Sequence, residues 1–454
     1  MTIAQTSYDA TPFAELDALT IGTVAVPGDT RYDALVAPWN VAVPVRPAAV
    51  LAAFDAWDVV EAVQFAARHG IRVTPQATGH GPMADLTTDL LVTTKDLDEV
   101  VVHPEGWARV GAGVKWLKVV EAAAPYGLAP LSGSITDVGI VGYTTGGGLG
   151  PMARTYGLAS DKVRAIEVVT GDGVLRRVTP TDHPELFFAL RGGKGMLGIV
   201  TAIEFDLVPQ PRFYGGSLWF DGADAPAVIE AWRAWSEELP EAGTTSFALF
   251  QLPDMEGVPP MLAGRLTISV RFVWTGSAIE GEQWFAAMRA AGEAILDDVS
   301  EKPYVAIDSV HTDPLDPTPA TEAGQVLAEF PAEAASALLA LTGPGVPSPQ
   351  ILVEVRQLGG AYARPGEHPS AFASREAAYS LLVVSIAEIP GVEDHADAIL
   401  DAMSPWIGGH RLPNFTFTPE EYVDAYDEVT LARLRRARRT YDPDGVMAIG
   451  GVLA

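Results

Sequence analysis

Along residues 56–128 the apolar positions switch between two periods. In DVVEAVQFAARH they recur at helical spacing, so Val59, Ala62, Val63 and Ala66 share one face. Asp58 reads as the N-cap of this helix and Gly70 as its C-terminal stop. Ile71 and Val73 then read as a short buried strand running into Pro75 and a glycine-containing loop. Further strands are predicted at Leu90–Thr94, Val100–His103 and Ala108–Ala112, and a helix over Val114–Ala124 that closes at Gly127. Downstream, RTYGLASDKVRAIEVVTGDGVLRRV reads as strand, turn, strand around Gly171–Asp172–Gly173. LFFALRGGKGMLGIVTAIEFDLV reads as a short helix, a glycine loop and a strong strand. Strand and helix in this alternation predict an α+β fold.

Pro209 and Pro211 punctuate the end of that strand and set the expected domain boundary. Residues 209–404 are expected to form a second domain. Its strand-like segments Ser246–Gln251, Leu266–Phe272, Ile351–Arg356 and Leu381–Ile386 alternate with Ala-rich helices at Trp284–Ile295 and Ala332–Leu341. The pattern predicts an α/β unit built on a sheet covered by helices on one face. Residues 313–349, rich in Pro, Ala and Thr, are expected to hold a flexible loop. The tail predicts one helix over Pro419–Thr440, with Arg435, Arg436, Arg438 and Arg439 near its C-terminal end, where the helix dipole favours cations. No internal repeat is found.

The chain has 454 residues, 48% of them apolar and 19% charged, which excludes a disordered chain and suffices for two or three domains. Thirty Lys and Arg stand against 58 Asp and Glu, a formal charge of −28. Such a chain repels nucleic acid and anionic membranes at long range, so any anionic ligand must be held by local backbone dipoles. With no cysteine, disulfides, thiolate metal sites and a Cys nucleophile are excluded. The opening MTIAQTSYDATPFAEL lacks a basic region followed by an apolar one, and no apolar run approaches the roughly 18 residues of a membrane span. The expectation is a soluble, cytoplasmic protein without a resident metal.

Two glycine-rich segments carry the candidate chemistry: QATGHG at 76–81 and GSITDVGIVGYTTGGGLG at 133–150, the latter with seven glycines. Such loops can expose successive N–H groups and cradle a pyrophosphate without any basic side chain. Tight turns between short strands are the alternative use of so many glycines. No GxxxxGK[ST] occurs, and the two loose GxGxxA matches, Gly79 to Ala84 and Gly148 to Ala153, lack a clear amphipathic helix behind them. His80 lies between Gly79 and Gly81, where its imidazole is open to a ligand resting on the loop.

The order of these pieces resembles the flavoprotein oxidases of the vanillyl-alcohol oxidase superfamily, and in particular their berberine-bridge-enzyme and 6-hydroxy-D-nicotine-oxidase branch. The matching segments are DVVEAVQFAARHGIRVTPQATGHG, the stretch from ARVGAGVKW to TYGLASDKV, ELFFALRGGKGMLGIVTAIEFDLV and the closing RLRRARRTYDPDGVM. The resemblance covers roughly residues 30–208 and 410–450 and weakens between them. It implies a two-lobed FAD-binding domain over 1–208, completed by 405–454, with a substrate-binding domain over 209–404. It implies FAD held by Gln76, Ala77, Thr78, Gly79, His80, Gly81, Gly133, Ser134, Asp137, Val138, Gly139, Gly142, Tyr143, Thr145, Gly148, Gly198, Val200 and Asn414. It further implies an 8α-histidyl bond from His80, which would raise the flavin potential. The cysteinyl bond of many relatives is impossible here, because Ile135 stands in that position. Val138 falls where relatives govern access of oxygen to the flavin.

The implied activity is hydride transfer from a C–H bond of a small organic alcohol, amine or secondary metabolite to flavin N5, with O2 as acceptor. The alternatives are a dehydrogenase with another acceptor and a flavin-binding protein without turnover. The resemblance supplies no proton-abstracting base. The family's Phe-Pro-His-Arg segment reads here as Phe372-Ala373-Ser374-Arg375, and its Tyr-x-Asn as Leu412-Pro413-Asn414. Tyr143, Asn414, Glu354, Arg356 and His410 are left as catalytic candidates. Glu354 and Arg356 share one strand face and could simply pair with each other.

Overall fold

Three sheets organise the chain in the computed structural model, which describes residues 11–81 and 89–453. The N-terminal stretch read above for a leader lies largely outside these residues, as does Ala84 of the first GxGxxA match. Among the described residues no helix is long and apolar enough to cross a membrane, and no group of acidic and histidine side chains could hold a metal ion.

The first sheet runs in the order Thr23–Ala25, Ala49–Ala52, Leu90–Thr93, Val73–Gln76, with the last three strands parallel. Parallel strands need a crossover, and the helix Ala56–His69 supplies it. Val59, Val63, Phe65 and Ala66 of that helix pack on Leu51, Val73, Leu90 and Val92. Its N-cap is Asp55, whose carboxylate accepts the N–H groups of Trp57 and Asp58, so the assignment of that role to Asp58 is corrected. Asp58 is buried instead and accepts the N–H groups of Ile21, Gly22 and Phe54 at 2.7–2.8 Å, tying three segments together. Gly70 ends the helix in the left-handed conformation, as expected.

The second sheet, Val100–His103, Trp107–Gly111, Gly198–Asp206, Val163–Thr170, Leu175–Val178, is antiparallel throughout. Trp116, Ile166, Phe187, Phe188 and Ile203 fill its core together with Tyr422, Leu431, Leu434 and Leu453 from the C-terminal segment. That segment holds two helices, Pro419–Asp424 and Glu428–Tyr441, where the sequence suggested one. The break falls at Asp427, whose extended backbone and side chain cap the second helix at the N–H of Thr430.

The third sheet has eight antiparallel strands. Its main order is Ala294–Asp297, Arg212–Asp221, Leu266–Trp274, Gly243–Gln251, Leu352–Gln357, Tyr379–Ile386, Ala320–Leu327, and Ser300–Pro303 also pairs with Arg212–Asp221. Two expectations fail here. The helix expected over Trp284–Ile295 is Ala278–Arg289, started by a capping box of Ser277 and Glu280, and residues 294–297 leave it to form an edge strand. The loop expected over 313–349 contains the strand Ala320–Leu327, which pairs along its whole length with Tyr379–Ile386. A partner 60 residues away in the chain is not visible in local composition.

One face of this sheet is apolar. Leu218, Phe247, Val270, Phe272, Val355 and Leu381 pack under Trp232, Trp235, Phe285, Leu338 and Ile399 from four helices. Burying each such side chain stabilises the fold by about 1.5–3 kcal/mol. The other face carries Ser217, Arg271, Ser246, Arg356 and Ser380 in one row across five strands, with Glu354 two residues from Arg356 on the same face. These positions are buried too, although no helix of the apolar face covers them.

Candidate functional site

The site begins where the parallel strand Val73–Gln76 ends. Gln76 anchors the exit through its side chain to the carbonyl of Val36 at 3.2 Å. The carbonyls of Thr78 and Gly79 accept the N–H groups of Trp39 and Asn40 at 2.9 and 3.0 Å, so this edge of the loop is committed to the protein. Gly79 must be glycine: its φ is +72°, and a Cβ would lie 2.6 Å from the Cα of Pro38. Among the described residues the N–H groups of Thr78, Gly79, His80 and Gly81 meet no acceptor. The α-carbon of Gly81 faces open space.

His80 is fixed from two sides. One ring nitrogen, Nδ1, lies 2.8 Å from the hydroxyl of Thr78, and the ring stacks on Trp39 with centroids 4.5 Å apart. The other nitrogen, Nε2, is buried and meets no partner among the described residues. Burial lowers the imidazole pKa to about 4, with Asp137 opposing and Lys115 adding to the shift. The ring is therefore neutral at pH 7.

A second loop lies against the first, since a Cβ on Gly139 would stand 3.3 Å from the hydroxyl of Thr78 and 3.6 Å from Cβ of Ala77. The loop is pinned by its carbonyls and one Thr. Trp116 N–H donates to Val138 O, Leu117 N–H to Thr136 O, and Asp308 accepts both the N–H and the hydroxyl of Thr136 at 2.9 and 2.5 Å. Asp137 pairs with Lys115 at 2.7 Å. The N–H groups of Ser134, Ile135, Asp137, Val138 and Gly139 meet no acceptor among the described residues. Ile135 is buried, and Gly142 is exposed with open space at its α-carbon.

Much of the second glycine run serves the protein's own packing. The ring of Tyr143 lies 3.0 Å from where Gly133 would place a Cβ and 2.7 Å from that of Gly148, and its hydroxyl 3.0 Å from that of Gly150. Gly148 also has φ +79°. Gly147 makes the same close approach to Phe372, and Gly146 to Asn414, whose amide donates to the carbonyl of Tyr143 at 2.9 Å. The segment Ile140–Thr145 is a short helix, with Thr145 bonded back to Val141 O. Gly198 opens its strand against Val169 O, and Val200 is a buried core residue. The Tyr143 hydroxyl itself is buried without a partner among the described residues, and burial raises its pKa.

The remaining candidates separate. Glu354 and Arg356 do pair, at 3.0 Å, inside a cluster that local sequence did not reveal. Arg271 reaches the same carboxylate at 2.8 Å and Ser246 Oγ donates to it at 2.6 Å. Nε2 of His311 lies 3.0 Å from the guanidinium of Arg356. Both arginines hold the Glu354 carboxyl well below the usual carboxylate range, against the opposing effect of burial. Burial and the same arginines push His311 well below its ordinary value, so it is neutral. Arg271 was legible only as a charge inside the apolar strand LTISVRFVW. His410 stands elsewhere, with its ring against the carbonyl of Asp424 at 3.3 Å.

An FAD molecule fits this arrangement. Two abutting loops offer N–H groups without protein acceptors, Gly81 and Gly142 leave open space, and the orphaned nitrogen of a neutral imidazole lies beside them. Residues 47–179 match the family model described as FAD binding domain. With this domain match the fold is the one that the resemblance drawn from the sequence led one to expect, that of solved FAD-linked oxidases.

Among curated proteins the chain is similar to (R)-6-hydroxynicotine oxidase of Paenarthrobacter nicotinovorans, 29% identical over 297 residues. The match takes in 62% of this chain and 61% of that enzyme, so it spans about three fifths of the relative's length. Among solved structures, 6-hydroxy-D-nicotine oxidase of Arthrobacter nicotinovorans superposes with a TM-score of 0.81 at 22% identity, covering 94% of this chain and 96% of that one. Berberine bridge enzyme of Eschscholzia californica gives 0.81 at 16% identity, with 97% of each chain covered.

Proposed function

We propose that the protein is an FAD-dependent oxidase. Its substrate would be a small organic alcohol, amine or secondary metabolite, which loses two electrons and two protons while O2 becomes H2O2. Residues 1–208 and 405–454 form the FAD-binding half in this reading, and residues 209–404 the substrate half. The observation that carries it is His80: a neutral imidazole with one uncommitted nitrogen, between two loops of N–H groups that lack acceptors.

When bound, FAD supplies a hydride acceptor at N5. The chain's own residues bind and orient. Thr78 to Gly81 with Ser134, Ile135 and Asp137 to Gly139 would cradle the pyrophosphate and ring system by main-chain dipoles, which suits a chain of charge −28. Thr78 and Trp39 hold the His80 ring so that its free nitrogen can carry the covalent tether. Asn414 fixes the carbonyl of Tyr143 and with it the short helix. The Tyr143 hydroxyl stays protonated, so it can donate to a substrate oxygen or nitrogen and cannot act as a base. Glu354, held by two arginines, is a weak proton acceptor. This favours a neutral amine donor, whose lone pair assists C–H cleavage without a base.

Acid precipitation of purified protein tests the reading. Yellow colour should remain with the pellet, and His80→Ala should release it to the supernatant while flavin still binds. Acid-stable colour in His80→Ala would refute the attachment site, and a wild-type protein that is colourless and takes up no FAD would refute the function. Rapid reoxidation by air after photoreduction is the expected behaviour of an oxidase; slow reoxidation would favour the dehydrogenase.

A further inference from the structure

Lys194 and Glu322 face each other where the glycine loop 191–197 meets the edge of the eight-stranded sheet. Lys194 has a φ of +49°, uncommon for a residue other than glycine, and its N–H donates to the carbonyl of Thr145 at 3.0 Å. Its Cε stands 3.1 Å from where Gly146 would place a Cβ, beside the Asn414 amide. Glu322 lies on the edge strand Ala320–Leu327, two residues before Gly324 and so on the same face. Gly324 and Glu354 both lie opposite Leu382, which puts Glu322 on the polar face of the sheet. A Cβ on Gly324 would stand 3.0 Å from that of Phe415, the neighbour of Asn414. The two ionisable groups thus reach one place, around Asn414, from different parts of the chain.

This place is open, in contrast to the Glu354 cluster. Glu322, Lys194, Leu382, Val384 and Asn414 are only half-buried, and no helix of the apolar face covers them. Among the described residues neither the Glu322 carboxylate nor the Lys194 amine makes a hydrogen bond or an ion pair, and Lys194 Nζ stands 5.9 Å from the centre of the Tyr422 ring. The neighbouring charges are committed: Glu354 to Arg271 and Arg356, and Arg411 to Glu421 at 3.3 Å and to the carbonyl of Gly324. The paired strand Tyr379–Ile386 offers no charge on this face. Burial and Asp313 raise Glu322 to about 7 against the effect of Lys194, and burial lowers Lys194 to about 8 against that of Glu322. A half-buried carboxylate with no cation in contact, and with a second carboxylate near it, favours a cation from outside.

We infer that Glu322 is the specificity residue which receives the substrate as an ammonium ion, so that the donor is an amine protonated in solution. Among the described residues no group of side chains could hold a metal ion, so the cation is organic and its N–H groups donate to the carboxylate. An aliphatic amine has a pKa of about 10 and is cationic at pH 7. An ammonium and a carboxylate in hydrogen-bond contact share one proton, so the amine can reach its neutral, hydride-donating form inside the site. Lys194 is a positioning residue: its charge keeps the cation on the Glu322 side and holds part of Glu322 ionised at pH 7. The inference rests on the FAD-oxidase reading for the words substrate and donor, but the cation site stands on its own residues.

Calorimetric titration of the purified protein with benzylamine, and with benzyl alcohol as its neutral isostere, tests it. At pH 8 benzylamine should bind at least tenfold more tightly than benzyl alcohol. Its affinity should fall about tenfold between pH 8 and pH 6, as Glu322 takes up a proton. Glu322→Gln, which breaks no hydrogen bond among the described residues, should abolish both the preference and the pH dependence. Lys194→Met should move the midpoint of that dependence to higher pH, a shift that a merely structural lysine would not produce. Equal binding of the two probes, or wild-type benzylamine affinity in Glu322→Gln, overturns the inference, and an unmoved midpoint in Lys194→Met overturns the positioning role. Yellow protein without a benzylamine preference overturns this site and leaves the FAD reading standing. Colourless protein that still prefers benzylamine keeps the site and removes the FAD reading.

Discussion

Glu354 illustrates how one side chain can be decisive without being reactive. It receives Arg271, Arg356 and Ser246 within 3.0 Å, all buried. Removing its charge leaves two guanidiniums facing each other in a medium that solvates them poorly. Glu354→Gln is expected to destabilise the fold by about 3–5 kcal/mol, the usual cost of breaking a buried pair from one side. Urea denaturation checks this, and a loss under about 1 kcal/mol would mean that water already screens the cluster. His80 is the opposite case. Its stacking on Trp39 and its contact with Thr78 add little to stability, yet they decide which nitrogen is available.

At the level of elements, the second glycine run is a packing device as well as a loop. Gly148 lets the Tyr143 ring approach its backbone, and its φ of +79° is one that an L side chain adopts only under strain. Gly148→Ala should therefore cost about 3 kcal/mol, from strain and overpacking together. A thermal melt reads the loss, and an unchanged melting temperature would show that Tyr143 can move aside. The C-terminal helix Glu428–Tyr441 offers a gentler test. Asp427 caps it through the N–H of Thr430 at 2.7 Å, so Asp427→Ala should cost about 1 kcal/mol. That helix lends Leu431 and Leu434 to the core of the five-stranded sheet, so the loss should appear in global unfolding and not only as fraying.

For the whole molecule, buried titratable groups set the pH response with opposing signs. His311 is held well below 6.5 in the fold, so below that pH the unfolded chain binds a proton that the native state refuses. Its contribution is present above about pH 6.5 and is lost as the pH falls, at about 1.4 kcal/mol per pH unit. Glu322 and Asp442 act the other way: burial raises them to about 7 and about 6, so protonation in the native state favours folding as the pH drops. The total profile mixes these, and a difference between variants isolates one group. His311→Gln should flatten the acid side of the stability curve by about 1.4 kcal/mol per unit between pH 5 and 6. Parallel curves for variant and wild type would mean that His311 is already protonated in the fold.

The sequence alone determined what depends on near neighbours in the chain. Hydrophobic period and glycine stops located most elements of residues 56–206, and the loop around His80 stood out because glycines on both sides bare its imidazole. Local signals also misled: Asp58 reads as the cap, whereas the structure gives that role to Asp55, whose backbone is extended. Tertiary structure decided the rest. The strand Ala320–Leu327 exists because Tyr379–Ile386 lies beside it, and Gly133, Gly146, Gly147, Gly148 and Gly150 are required because Tyr143, Phe372 and Asn414 close on them. Arg271, His311 and Glu354 are far apart in sequence and meet only when strands align in register. Such a cluster is set by pairing between distant segments, and no window along the chain contains it.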